Sequence, residues 1–265
     1  MEEYFKTNEK LWDQKTGVHK DSAFYDLTGF KQGKTSLQEI ELNALSAHVA
    51  DKSLLHLQCH FGQDSLSFAR MGAKVTGVDL SPNSIQLARE LNDELGLDAQ
   101  FIVSNIYGLD EHIDKKFDIV FTSYGVLTWL PDLDKWAAIV AKTLKSGGTF
   151  YIAEFHPVFY MFDHDTGKIA YRYFNHKKPY EEVEVGTYAD ESAKISLKEY
   201  FWCHDLGEII NALLHQGLIL TDFQEFPFSP YPCFPNMTEV SPGRFVYGDL
   251  INRIPHVFSL KMTKK

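Results

Sequence analysis

Apolar residues in the middle of the chain fall into short runs separated by segments of helical period. Ser53–Leu57 (SLLHL), Lys74–Asp79 (KVTGVD), Ala99–Val103, Phe117–Thr122 (FDIVFT) and Thr149–Glu154 (TFYIAE) each read as a strand apolar enough to be covered on both faces. Between them lie helical patterns. One starts at Ser65–Arg70 and stops at Gly72. A second opens at Ser81-Pro82 with serine as cap and proline at the first helical position, carries Ile85, Leu87, Ala88, Leu91 and Leu95, and ends at Gly96. A third spans Trp136–Leu144. Strands alternating with helices predict a parallel sheet covered on both faces. Ahead of this core, Ser36–Val49 has a helical apolar period through Leu37, Ile40, Leu42, Leu45 and Val49, and residues 1–35 read as short helices and loops.

The alternation breaks after the fifth strand. From Phe155 to Cys203 the chain is rich in Tyr, Phe, Asp, Lys and His, with β-like runs near Lys168–Phe174, Glu182–Tyr188 and Lys194–Trp202. That stretch is too long for a structureless loop and predicts an antiparallel insertion. A helix at Asp205–His215, a strand at Ile219–Glu225, a Pro-rich loop and a last strand at His256–Met262 complete the chain. The expected organisation is one domain over 1–265: a cap at 1–50, a core at 51–156, a substrate-side insertion at 157–203 and a completion of the sheet at 204–265.

Charge narrows the function. A net charge of -10 without a basic stripe is a poor match to a phosphate-neutralising surface, so neither nucleic acid nor an anionic membrane is expected as partner. The three cysteines, Cys59, Cys203 and Cys233, form no C-x-x-C pair, and no metal site is expected. The N-terminus has no basic start before an apolar run, and no stretch has the roughly 20 apolar residues of a membrane span. A cytoplasmic protein is the expectation; nothing in the sequence speaks to oligomeric state.

Ligands of open parallel sheets bind beyond the carboxyl ends of the strands. The first strand is followed by Gln58-Cys59-His60-Phe61-Gly62-Gln63-Asp64, where a glycine allows close backbone approach and the next helix offers free N–H groups. The second ends in Asp79, an acceptor suited to both hydroxyls of a ribose and equally to helix-start chemistry with Ser81. The third leads to Asn105-Ile106, suited to a purine edge and face or, for Asn105, to a plain turn. Ser123-Tyr124-Gly125 follows the fourth strand, and Phe155-His156-Pro157 follows Glu154 at the end of the fifth.

The segments LLHLQCHFGQDSLSFARMGAKVTGVDLSPNSI and FDIVFTSYGVLTWLPDLDKWAAIVAKTLKSGGTFYIAE resemble those of class I S-adenosylmethionine-dependent methyltransferases, over about residues 53–156. The form with HLQCHFG is similar to a bacterial subgroup of small methyltransferases of unassigned substrate. The resemblance implies an α/β fold: a Rossmann-like seven-stranded, mostly parallel sheet with the last strand antiparallel, an N-terminal helical cap and an antiparallel β insertion after the fifth strand. It implies S-adenosylmethionine as cofactor and S-adenosylhomocysteine as product. It places Gln58, Cys59, His60 and Gly62 by the methionine half, Asp64 at the amino group, Asp79 on the ribose, Leu80, Asn105 and Ile106 at the adenine, and Tyr124 and Gly125 near the sulfonium. Most relatives carry glycine where this chain has Gln58 and His60, so a side chain at 60 must point away from a ligand.

Methyl transfer needs a base only when the acceptor starts protonated. His156, His19 and Tyr25 are the candidate catalytic groups, the histidines because their ordinary pKa is near neutral. Trp12, Tyr25, Trp129, Tyr160, Trp202 and His204 are candidates for the wall of an acceptor pocket, since such pockets are largely apolar. The acidic balance and aromatic content favour a small-molecule acceptor. A non-catalytic module binding the same cofactor, or a nicotinamide-dependent oxidoreductase, is the alternative; the second should show G-x-G-x-x-G, of which only Gly62 is present.

Overall fold

The structure, a computed structural model, describes residues 1–265. Five strands, β1 (Ser53–Leu57), β2 (Lys74–Asp79), β3 (Gln100–Val103), β4 (Phe117–Ser123) and β5 (Leu144–Phe155), lie in one sheet with the later β10 (Leu218–Phe226) and β13 (Val257–Lys264). The order across it is β10-β13-β5-β4-β1-β2-β3. β1 to β5 pair in parallel, and β13 runs antiparallel to both β5 and β10. This is the expected seven-stranded sheet with its last strand reversed. The chain moves outward in one direction through β1, β2 and β3, then in the other through β4 and β5. The strand order therefore reverses between β1 and β4, which is where such sheets open a crevice.

The apolar runs are strands because both faces are buried. Leu55 and Leu57 of β1 join Val120 in a core with Trp136 and Phe258, while Leu54 joins Ile119, Phe121 and Phe68 on the opposite face. Helices α4 (Gln63–Arg70), α5 (Pro82–Glu94), α6 (Leu133–Thr143) and α7 (Leu206–His215) cover the sheet. Ser81 caps α5 by accepting the Ser84 N–H at 3.0 Å, and Asp132 and Asp205 cap α6 and α7 in the same way.

The N-terminal region differs from expectation. It holds one 18-residue helix, α1 (Glu2–His19), then a short α2 (Leu27–Lys31) and α3 (Glu39–Leu45). The buried face of α1 is Asn8, Leu11, Lys15, Thr16 and His19, mostly polar, so no apolar period announces it. The helical expectation over Ser36–Val49 shrinks to α3 and a single 3₁₀ turn.

The insertion is antiparallel, as expected: a short hairpin of β6 (Phe162–Asp163) and β7 (Lys168–Ile169), then β8 (Tyr180–Val185) against β9 (Ser196–Phe201). A further hairpin, β11 (Met237–Ser241) with β12 (Arg244–Tyr247), occupies what reads in sequence as Pro-rich loop. Asn8 fixes α1 to β9. Its amide nitrogen donates to the Tyr200 carbonyl at 2.7 Å and its oxygen accepts the Tyr200 N–H at 3.0 Å. Helix α1 and the β8–β9 hairpin thus form one roof over the carboxyl ends of the strands.

Candidate active site

Under that roof lies a cavity of about 970 Å³, lined by the ends of β1 to β5, by α1, β8 and β9, and by residues 231–235. Ligand sites commonly span about 300–1,000 Å³, so this one is large enough for two small ligands side by side.

The loop after β1 forms the floor. Gln58, His60 and Gly62 have φ of 56°, 50° and 78°, all left-handed. The two non-glycine residues carry strain of order 1 kcal/mol or more each. The loop is held in that shape from both sides. The Cys59 N–H donates to the Val78 carbonyl at 2.9 Å, and the His60 N–H to Asp79 Oδ2 at 2.8 Å. Only glycine fits at 62, where a Cβ would sit 2.7 Å from the Phe101 ring. The side chains answer the question raised by the missing glycines. Gln58 Nε2 donates to the Val126 carbonyl at 3.0 Å. The His60 ring is drawn toward α1 and α5: Nδ1 lies 3.0 Å from Ser84 Oγ, Nε2 lies 3.0 Å from His19 Nδ1, and Ser84 continues to Thr16 at 2.6 Å. The Cys59 side chain joins the core beside Phe61 and Phe101, so this residue offers the cavity backbone rather than a thiol.

Asp79 stands at the end of β2 on the cavity wall, its second oxygen accepting the Ser81 N–H at 2.9 Å. Burial pushes its carboxyl up to about 6. Val78, Leu80 and Ile106 give an apolar stretch beside it. Asn105 has both anticipated roles in position: it lines the cavity, and its Oδ1 caps the next turn by accepting the Tyr107 N–H at 3.0 Å. Asp64, at the start of α4, lines the cavity and accepts from Ser123 Oγ at 3.3 Å; burial raises its pKa. Tyr124 donates to Glu41 Oε2 at 2.8 Å, and burial pushes the Glu41 carboxyl up to about 7. Gly125 takes φ of 74°.

The roof supplies the aromatic wall. Trp12 and Trp129 meet edge to face with centroids 5.5 Å apart, and Tyr25, Tyr160 and Trp202 also line the cavity. The Tyr25 hydroxyl is hydrogen-bonded to that of Tyr188.

Three proposed roles are overturned by placement. His156 is off the cavity: its Nδ1 accepts the Val158 N–H at 3.1 Å and its Nε2 lies 3.0 Å from Glu225 on β10. The strand alternation of β5 sends Phe155 to the cavity and its neighbour to the far side. His204 is also off it, with Nε2 at 2.7 Å from the Leu130 carbonyl and Nδ1 at 2.9 Å from Glu208. His19 is fully buried behind Tyr25, whose ring stacks on it at 5.1 Å, so it can touch no acceptor. Burial lowers its pKa to about 3, with Lys15 adding to the effect. Tyr25 stays on the wall, but burial raises its pKa well above the ordinary phenol value, so it is no base near neutral pH. Replacing His156 by Asn is expected to leave S-adenosylhomocysteine affinity unchanged by calorimetry, while loss of the Val158 contact costs about 1 kcal/mol of stability.

Sequence reasoning missed Lys15, Glu41, Glu184, Tyr188, Glu199 and Tyr231, all brought in by the roof or the later loops except Glu41. It also gave no role to Glu154. That carboxylate is 1% exposed and accepts the N–H groups of Gly125, Val126, Leu127 and Phe155.

Comparison with known proteins adds to this geometry. Residues 54–148 match the family model described as "Methyltransferase domain". That match covers 95 of the chain's 265 residues. A sterol 4-C-methyltransferase of Caenorhabditis elegans is 31% identical over 122 residues, 43% of this chain and 36% of that protein. A ubiquinone biosynthesis O-methyltransferase of Xanthomonas axonopodis is 30% identical over 134 residues, 50% of this chain and 56% of that protein. The chain thus spans between about a third and just over half the length of these relatives. Among solved structures, an S-adenosylmethionine-dependent methyltransferase from Clostridium acetobutylicum aligns over 93% of this chain and 94% of its own, with TM-score 0.58 at 16% identity, a likeness of fold. No helix here is long and apolar enough to cross a membrane.

Proposed function

We propose that this protein moves the methyl group of S-adenosylmethionine to a small organic acceptor held under the roof. The observation that carries this reading is the single cavity, which runs from Asp79 to the aromatic wall of α1 and β9 and has the volume for cofactor and acceptor together. The residues suit the cofactor. Asp79 offers a carboxylate to ribose hydroxyls, and Leu80 and Ile106 offer an apolar bed for adenine. Gln58 Oε1 is a buried acceptor without a partner, and with Asp64 it is fitted to an α-ammonium group.

When bound, the cofactor supplies a methyl carbon already activated by its positive sulfur. The chain's part is to place the acceptor in line and keep water out. Such positioning supplies roughly 7–11 kcal/mol of a barrier. Gly125, Tyr160 and Phe155 line the cavity, and the Asn8–Tyr200 pair keeps the roof in place above it.

The test is calorimetric titration with S-adenosylmethionine, S-adenosylhomocysteine and NAD, followed by incubation of the protein with labelled cofactor and small-molecule extract. Binding of the first two alone, with label entering small molecules, is expected. Binding of NAD would reject the reading. Tight cofactor binding with no label transferred to any fraction would instead favour a module that binds without turnover.

A further inference from the structure

The end of β8 has its polarity reversed. A hairpin lying on a protein ordinarily turns apolar residues inward and polar ones out. Here Val183 and Val185 are 61% and 73% exposed, while Glu182 and Glu184, at alternate positions, are half-buried, and all four border the cavity. Glu199 of β9 is half-buried on the same wall, directly opposite Glu182 in the strand register. Burying carboxylates costs free energy, and like charges directly opposite on a sheet destabilise it. Folding alone gains nothing from this arrangement.

The wall's cation count does not match. Lys15 comes from α1, is 3% exposed, pairs with Glu184 and acts on Glu199 as well. Glu182 receives the Tyr171 hydroxyl at 2.8 Å, a neutral partner. Glu182 is left without an opposite charge, and Glu199 shares Lys15 with Glu184, to which it is hydrogen-bonded.

The aromatic residues around these groups already face an ammonium. Lys15 Nζ lies 4.9 Å from the Trp12 ring centroid, 5.5 Å from Trp129 and 5.9 Å from Tyr188. Rings at such distances attract cations, the more so where water is excluded. The Trp129 indole N–H is also buried there without a partner in the protein, free to donate to an acceptor elsewhere on the ligand or to the amine nitrogen once it has lost its proton.

We propose that the methyl acceptor is an amine that enters protonated, its ammonium group seated between Glu182 and Glu199 and the rings of the roof, with Glu199 receiving its proton. This rests on the methyl-transfer reading above. The groups facing Glu199 are Glu182, Glu184, Lys15, Tyr160 and Tyr171. Burial pushes the Glu199 carboxyl upward, with Lys15 opposing the shift and Glu184 and Glu182 adding to it, so it holds a proton more readily than a free carboxylate, as a base in this role must. The step balances. The ammonium N–H bond breaks and its proton goes to a Glu199 oxygen. The freed lone pair forms the N–C bond to the methyl carbon, the S–C bond breaks, and its electron pair stays on sulfur. Glu199 returns the proton to water as product leaves.

The experiment uses the full chain saturated with S-adenosylhomocysteine, titrated calorimetrically with three probes of one shape: phenethylamine, 2-phenylethanol and 3-phenylpropanoate. The amine is expected to bind at least about tenfold more tightly than either of the others, and to lose that margin in the double variant Glu182→Gln, Glu199→Gln, a tenfold change being about 1.4 kcal/mol. The double variant keeps its affinity for S-adenosylhomocysteine and melts no lower than the wild type, since it removes a buried like-charge pair. Preference for the carboxylate would place Lys15 in command of the wall and overturn the proposal. Equal binding of amine and alcohol, no binding of any of the three, or full amine affinity in the double variant would overturn it as well. Failure to bind S-adenosylhomocysteine would sink the methyl-transfer reading itself, before any probe is added.

Discussion

Replacing Glu154 by Ala lowers the melting temperature by about 10 °C and weakens cofactor binding, although residue 154 is outside the cofactor cleft. Its carboxylate is the sole partner seen for a run of three successive backbone N–H groups, Gly125, Val126 and Leu127, and takes the Phe155 N–H as well. Removing it leaves these donors buried and unpaired, at about 1–3 kcal/mol each before relaxation. Even a total near 4 kcal/mol shifts the transition of a chain this size by roughly 2–4 °C per kcal/mol. The functional consequence follows from what the loop carries. Gly125 lines the cavity, Trp129 is part of the aromatic wall, and the Val126 carbonyl receives Gln58 from the floor. A loosened loop therefore releases the floor too. Glu154→Gln keeps the shape of the side chain but turns one acceptor into a donor facing an N–H. It should fall between wild type and Ala. Thermal denaturation and S-adenosylhomocysteine titration read both effects; an unchanged melting temperature in Glu154→Ala would mean that the loop is held by something else.

The core was readable in the sequence because local pattern and burial agree there. Five apolar runs became β1 to β5, since each has neighbours on both faces, and Ser81-Pro82 starts α5 where serine and proline chemistry places it. The roof was not readable, because its elements are specified by distant partners. α1 buries Asn8, Lys15, Thr16 and His19, and what pays for Asn8 is Tyr200, 192 residues away. No window of sequence contains that pair. His156 shows a subtler limit. Its distance along the chain from the end of the fifth strand is right for a catalytic base, but which face it takes depends on the strand continuing to Phe155. The loop after β1 shows the opposite case. The sequence lacks two glycines, yet the backbone keeps left-handed geometry at Gln58 and His60, because the N–H groups of Cys59 and His60 are anchored to Val78 and Asp79. Residue type there is a weaker guide than the hydrogen bonds that fix the turn.

Asp79→Ala is expected to weaken S-adenosylhomocysteine binding by about 10- to 150-fold, the equivalent of losing a charged hydrogen-bond acceptor worth roughly 1.5–3 kcal/mol. The wild-type protein carries a pH signature of the same residue. Burial pushes the Asp79 carboxyl up to about 6, against the opposing pull of the N–H groups of Ser81, His60 and Leu80. As pH falls through 6 the carboxylate is neutralised, so affinity for a ribose-bearing ligand declines between pH 7 and 5. Stability of the free protein moves the other way. The folded pKa is above that of an unfolded Asp, near 3.9, so the native state binds the extra proton between those values, and this group's contribution to stability falls as pH rises through the window. Glu41 titrates in the same neighbourhood, at about 7, and contacts Tyr124 beside the cavity. The informative quantity is therefore the difference between wild type and Asp79→Ala. Glu41 contributes to both and cancels, whereas the decline centred near pH 6 belongs to Asp79 and disappears in the variant. A variant that binds as well as wild type at pH 7, or a wild-type profile flat between 7 and 5, would move the ribose site away from the end of β2.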